Sequence, residues 1–241
     1  MPEGPSILHL KDQLLPFKGK IVKKVGGYGA MPTAWIKGKK LINIETWGKH
    51  LLFVFSNGVV KVHLGLFGDV LVDERKKVNR SFYLEFANGE INGYVVKASK
   101  LEKPLNELYD WRTDALSKKF DKAYVKKLLK ERDSKMIADV LMDQTIFTGA
   151  GNIIRNEALY RAGIHPLSIT GKIPAAKITR LINEVVKYSN IFYNHLLKGK
   201  SRLYQVYQQE HAADGSEVTM KLLPKTKRKI FFSEHRQHLY K

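Results

Sequence analysis

Between residues 19 and 101 the chain alternates apolar and polar residues in seven short runs: IVKKV, KLINIETW, HLLFVF, VVKVHL, DVLVDE, SFYLEF and INGYVV. A period of two sends successive side chains to opposite faces of a strand, so this pattern commits the segment to half-buried β-sheet. Two of the breaks are Ser56-Asn57-Gly58 and Ala87-Asn88-Gly89. Asn and Gly both tolerate positive φ, which tight hairpins require. Seven short strands joined in this way predict a β-sandwich or barrel. Ahead of them, Ile7, Leu10, Leu14 and Leu15 fall at helical spacing and predict a short amphipathic helix.

From about residue 104 the period changes to 3.6. Residues 121–132, 135–144, 152–162 and 174–198 read as helices, with Pro166 and Pro174 as punctuation. The last stretch, 216–240, is basic and strand-like, with Pro224 between VTMKLL and KRKIFFS. The fold class read from these patterns is α+β. The expected organisation is an N-terminal β-sandwich domain with a leading helix over 1–115, a helical domain over 116–205 and a C-terminal hairpin over 206–241.

The 241 residues are 44% hydrophobic and 27% charged, the balance of a globular chain able to bury a core. Lys and Arg number 42 against 23 Asp and Glu, a net charge of +19. That excess calls for a polyanionic partner, most simply nucleic acid. The basic residues are spread along the chain and form no single amphipathic helix, so a membrane partner is not expected. No apolar run approaches the roughly 18 residues that span a bilayer, and no signal peptide is evident. The absence of cysteine excludes disulfides and thiolate zinc sites. A monomeric intracellular nucleic-acid binder is the expectation, cytoplasmic and nucleoid-associated in a bacterial-type cell or nuclear in a eukaryotic one.

The residues that carry chemistry begin at the N-terminus, Met1-Pro2-Glu3-Gly4-Pro5. With the Met removed, Pro2 is a secondary amine with a carboxylate, Glu3, beside it. Such an amine attacks an aldehyde carbon to give an iminium ion, and an α-amino group titrates near pH 8, roughly two units below lysine. The turn Thr148-Gly149-Ala150-Gly151-Asn152 lies between two predicted helices, where backbone amides and Asn152, as N-cap or side-chain donor, could hold a phosphate. An ordinary helix–turn–helix also uses such a turn. Lys49, in TWGKH at the start of a strand, and Arg228, beside Phe231 and Phe232 in KRKIFF, are further candidates for phosphate contact. A solvated edge-strand charge is the plainer reading of Arg228.

Taken together these segments resemble the formamidopyrimidine-DNA glycosylase / endonuclease VIII family. MPEGP resembles the family's opening, TWGKHLLFVF its lysine-bearing strand, and LMDQTIFTGAGNIIRNEALYRAGIHP, residues 141–166, its helix–two-turns–helix motif. The resemblance runs in order through essentially the whole chain. It implies a bifunctional DNA glycosylase / AP lyase that repairs oxidised bases in damaged double-stranded DNA, without organic cofactor or required metal. In this reading Pro2 is the nucleophile at C1′ and Glu3 handles protons at the sugar. Lys49, Asn152 and Arg228 grip phosphates, and Leu66 and Phe67 form the wedge that fills the space of the extruded base.

Four departures from the family pattern stand out. Ser6 replaces a usual second glutamate, and Val96-Lys97-Ala98-Ser99-Lys100 replaces an Arg-Arg-Phe-like second wedge. Ala138 stands where a basic residue is common. The C-terminal hairpin usually carries four zinc-binding cysteines, whereas here the matching positions hold Asp214, Ser233 and Arg236. A zincless finger anchored by Phe231 and Phe232 is therefore expected, with His211, His235 and His238 as surface residues. A catalytically impaired protein of the same fold that binds damaged DNA is the alternative to the enzyme.

Overall fold

The computed structural model describes residues 2–29, 33–201 and 203–241. Met1, whose removal would expose the Pro2 amine, lies outside the described residues. The chain divides into two compact units, Met1–Tyr109 and Asp110–Lys241.

Unit 1 opens with α1 (Gly4–Leu14), whose first turn tolerates Pro5 because the missing amide hydrogen has no helical partner there. Eight strands follow among the described residues: β1 (Lys24–Gly26), β2 (Leu41–Trp47), β3 (His50–Phe55), β4 (Gly58–His63), β5 (Asp69–Val72), β6 (Phe82–Phe86), β7 (Gly89–Tyr94) and β8 (Lys97–Leu101). They form two antiparallel sheets, in the orders β1-β6-β7-β5 and β2-β3-β4-β8. Ile44, Phe53 and Val62 from one sheet pack with Val70, Phe82 and Ile91 from the other, and Ile7, Leu10 and Leu14 of α1 join the same core. This is the expected sandwich. The eighth strand, β8, escaped the alternation argument because KASKL is largely polar. It is an edge strand held by its ladder to β4, from Val59↔Leu101 to His63↔Lys97. A one-turn helix, α2 (Leu105–Leu108), follows.

Unit 2 contains α3 (Lys122–Lys130), α4 (Ile137–Val140), α5 (Asn152–Ala162), α6 (Ala175–Leu197) and the hairpin β9 (Thr219–Leu222) with β10 (Lys229–Phe232). Asp121 caps α3 by accepting from the amides of Ala123 and Tyr124 at 2.9 and 3.0 Å. The helix expected over 135–144 shrinks to the single turn α4. Its first amides, Ile137 and Ala138, donate to the carbonyls of Ser168 and Pro166. After it, Asp143 accepts from both the amide and the hydroxyl of Thr145, so local side-chain bonds hold the backbone in turns. Ala138 is fully buried and packs the core, so this position does not present a side chain to a phosphate.

Helix α5 has no polar face. Arg155, Asn156 and Glu157 are consecutive and buried, and all three bond backbone atoms outside the helix. Arg155 Nη2 donates to the Lys229 carbonyl at 2.8 Å, and Asn156 Oδ1 accepts from the Phe231 amide at 2.8 Å. The Glu157 carboxylate accepts from the amides of Gln205, Val206 and Tyr207 at 2.9 to 3.0 Å. The hairpin is thus bonded along α5, and its side chains extend the helical core: Leu223, Ile230 and Phe232 pack with Ile154, Leu181 and Val185.

The two phenylalanines expected to anchor the hairpin lie on opposite faces of β10. Phe232 enters the main core, whereas Phe231 joins Tyr160, Val206 and Ala212 in a separate cluster and meets Tyr207 edge-on at 5.2 Å. Where relatives are expected to carry cysteines, a polar network runs from Arg236 to Asp214 at 3.7 Å, from Asp214 to the Ser216 hydroxyl at 2.5 Å, and from there to Ser233 at 2.7 Å. Gln237 accepts from the Ser233 amide and donates to the Ile164 carbonyl. His211, His235 and His238 are exposed, and among the described residues no three His, Cys, Asp or Glu side chains converge to hold a metal.

Phe232→Ala is expected to destabilise unit 2 by about 3–5 kcal/mol, the cost of an aromatic-sized cavity. Ser233→Ala is expected to cost about 1–3 kcal/mol through lost hydrogen bonding. Urea unfolding curves of the two variants check both values, and equal costs would contradict the division between core and network.

Candidate functional site

In unit 1, Pro2 is half-buried and lies two residues before α1. Glu3 is the N-cap residue: its carbonyl accepts from the amides of Ser6 and Ile7 at 2.9 and 3.2 Å. Its side chain is fully buried and makes no capping bond to the helix. The helix start therefore fixes the backbone of Glu3 next to the prospective amine, and the carboxylate sits in a place shielded from water. Ser6 lies one turn further on, and Ser6 Oγ and His9 Nδ1 are buried without a hydrogen-bond partner among the described residues.

Lys49 does not start a strand. Trp47 pairs with His50, so Gly48-Lys49 is the two-residue loop of the β2–β3 hairpin. Gly48 takes φ 52°, as the first position of a tight hairpin turn demands of a residue without Cβ. The Lys49 carbonyl accepts from His63 Nδ1 at 3.3 Å, which ties the turn to β4. His50 stands directly opposite His63, ring centroids 5.4 Å apart, and packs with Trp47 and Tyr109 at 5.5 and 5.8 Å. Burial, then the charges of Lys61 and His63, lower the His50 pKa to about 4, and burial pushes the Tyr109 phenol up to about 12. The ring stack behind Lys49 is uncharged at neutral pH.

Leu66 and Phe67 occupy the tip of the β4–β5 connection, 59% and 85% exposed, an orientation that no contribution to the fold's own core explains.

In unit 2, Gly151 is the N-cap of α5 and Asn152 is one residue inside the helix, not the cap itself. The turn before it is built around the Gln144 side chain, which donates to the carbonyls of Met142 and Ala150 at 3.0 Å and accepts from the Gly149 amide at 3.1 Å. Arg155 Nη2 donates to Asn152 Oδ1, so the amide group of Asn152 is oriented with its NH2 as the donor end. Arg228 is exposed at the end of the β9–β10 loop, where its carbonyl accepts from the Leu223 amide at 2.9 Å. Lys225, Lys227 and Lys229 are exposed around it. The same Arg155 nitrogen that holds Asn152 holds the carbonyl of Lys229, the residue after Arg228. One buried guanidinium thereby links the two phosphate-gripping candidates of this unit.

Sequence reasoning missed Gln144, Arg155 and His63. Gln144 and Arg155 lie inside the stretch 141–166 but carry no pattern that tells a positioning side chain from a surface one. His63 could be found only through the β3–β4 register.

Two family profiles match the chain: the formamidopyrimidine-DNA glycosylase N-terminal domain over residues 1–95 and the formamidopyrimidine-DNA glycosylase H2TH domain over 112–191. Human endonuclease 8-like 2 is 32% identical over 171 residues, covering 66% of this chain and 50% of that protein. Bovine endonuclease 8-like 3 is 26% identical and covers 80% of this chain and 34% of that protein. The chain thus spans half or less of the length of these curated relatives. The fold matches that of Lactococcus lactis formamidopyrimidine-DNA glycosylase bound non-covalently to DNA containing an AP site, with TM-score 0.84, 18% identity and coverage of 98% of this chain and 99% of that one. It also matches a viral DNA glycosylase, with TM-score 0.84, 20% identity and coverage of 98% and 100%. The chain belongs to the formamidopyrimidine-DNA glycosylase / endonuclease VIII family.

The His50 pKa gives a stability prediction. Because it lies at about 4 in the folded protein against an ordinary 6.5, the unfolded chain takes up a proton in that window that the folded chain refuses. His50 is therefore expected to leave stability intact above about pH 6.5 and to erode it as the pH falls toward 4. Thermal unfolding of the wild type should lose more between pH 7 and pH 5 than that of His50→Phe, and parallel losses would refute the assignment.

Proposed function

We propose that this chain is a bifunctional DNA glycosylase / AP lyase of base-excision repair that removes oxidised bases from duplex DNA. The observation that carries the reading is the Pro2-Glu3 pair, an N-terminal secondary amine precursor beside a buried carboxylate that caps α1. Its substrate preference is for oxidised pyrimidines or ring-opened purines over intact 8-oxoguanine. The exposed Leu66-Phe67 tip and the lack of an Arg-Arg-Phe segment support that choice.

In this mechanism the Pro2 nitrogen bonds to C1′, the glycosidic bond breaks, and the base departs with the electron pair and a proton. Glu3 delivers a proton to O4′ as the ring opens, leaving an iminium between Pro2 and C1′. The iminium withdraws electrons, so loss of a C2′ proton expels the 3′ phosphate and loss of a C4′ proton expels the 5′ phosphate. Water then releases the sugar fragment from Pro2, and a one-nucleotide gap remains. Reaching the sugar–base bond requires extrusion of the nucleotide, which costs a few kcal/mol and least at a damaged pair. Lys49, Asn152 and Arg228 hold the flanking phosphates, and the net charge of +19 supports the same partner.

Met-processed protein should form a borohydride-stable covalent complex with an abasic-site duplex, whereas protein that retains Met1 should not. Equal trapping by both forms would move the amine elsewhere, with Lys49 next in line. Glu3→Gln should abolish excision while keeping lesion binding within a few-fold. Failure of both the wild-type trapping and the wild-type excision would leave the DNA-binding alternative.

Phosphate contact has its own signature. Lys49→Ala and Arg228→Ala should each flatten the dependence of log K on log salt by about one unit. Asn152→Ala, which removes no charge, should weaken binding with an almost unchanged slope. Fluorescence anisotropy titrations between low and moderate salt check this, and a changed slope for Asn152→Ala would contradict it.

A further inference from the structure

We infer that Val95 is a third apolar wedge element, which with Leu66 and Phe67 fills the space vacated by an extruded base. The inference rests on the DNA glycosylase reading above.

Val95 is the single residue between the last paired position of β7 and the buried Val96, and it adopts φ 55°. A β-branched side chain in this left-handed region crowds its own backbone, and the conformation persists only where the surroundings impose it. Here one buried serine imposes it. The Ser81 hydroxyl donates to the Gly93 carbonyl at 3.1 Å and accepts from the Val96 amide at 3.0 Å, and the Ser81 amide donates to Gly93 as well. Both flanks of Val95 are therefore clasped by a residue only 4% exposed. Glycine or asparagine would make the same turn without strain. The chain carries valine instead, and its side chain is 63% exposed, so it does not serve the core.

The position of that side chain gives it a use. Tyr94 pairs with Asp69 across β7 and β5, so Val95 runs alongside Gly68, the last residue of the connection that bears Leu66 and Phe67. The approach is close: a Cβ on Gly68 would stand 2.1 Å from the Leu64 carbonyl oxygen and 2.9 Å from that of Val95. The Gly68 amide closes the connection on Leu64 at 2.8 Å. Three exposed apolar side chains, at 59%, 85% and 63%, are thus carried by two adjoining turns of one sheet edge. The gap left in a base stack is walled by apolar ring faces, so it takes up apolar bulk and disfavours a polar or missing side chain.

The test uses the full chain and three variants. Val95→Gly and Val95→Asn keep the turn and lose the apolar side chain, and Val95→Ile retains it. The substrates are a duplex with 5-hydroxyuracil opposite 2-aminopurine and a single-stranded abasic oligonucleotide, which needs no extrusion. Val95→Gly and Val95→Asn are expected to melt at the wild-type temperature or a few degrees above it. Their excision rates, each divided by that protein's own single-strand cleavage rate, should fall at least five-fold. Their 2-aminopurine brightening on binding should fall in parallel, while Val95→Ile stays within two-fold of wild type in both. Normalised excision and brightening at wild-type levels in Val95→Gly and Val95→Asn would overturn the inference, since a purely structural valine predicts that result. If the wild type cleaves neither substrate, the lyase reading fails, and the 2-aminopurine signal still decides the role of Val95.

Discussion

Unit 2 depends on a buried helix that has no solvent face. Arg155, Asn156 and Glu157 would be expensive to bury on α5 alone, and each is satisfied by backbone from the C-terminal third of the chain. Breaking one partner of a buried charged contact costs about 3–5 kcal/mol. The helix therefore cannot adopt its buried position unless the 205–207 segment and β10 are in place, and these segments gain their order from the helix. Asn152 and Arg228 inherit their placement from this dependence, since the guanidinium that orients one also bonds the backbone next to the other.

Unit 1 solves a different problem, how to hold one lysine and two apolar side chains on the rims of a sandwich. It uses tight turns whose conformations are fixed from beneath. The Gly48-Lys49 turn rests on an uncharged stack of rings and a bond from His63, and the Val95 turn is clasped by Ser81. Rigid strands bring these turns into position, so little conformational freedom remains to be lost when a ligand is gripped.

Much of this was legible in the sequence. Period-two runs and Asn-Gly breaks marked the sandwich because half-buried strands must alternate, and the motifs around Pro2, Lys49 and Asn152 located the candidate chemistry. Three kinds of feature were not legible. Strand β8 is polar and exists through pairing, and the 135–144 helix was cut short by side-chain bonds from Asp143 that no periodicity records. The positioning residues His63, Gln144 and Arg155 act through backbone groups that are close only after folding. The site residues visible in sequence are those defined by their own chemistry, and the hidden ones are defined by what they hold.

The polar network of Asp214, Ser216, Ser233 and Arg236 has a consequence for the conditions under which such a protein would work. Oxidants that damage nucleobases also drive exposed thiolates up the ladder from sulfenic to sulfonic acid, and a hairpin folded around cysteine-bound metal can be lost in that way. Hydroxyl, amide and guanidinium groups have no such chemistry, and this chain contains no cysteine. Its C-terminal hairpin would keep its shape through an oxidative burst, when oxidised bases are most abundant.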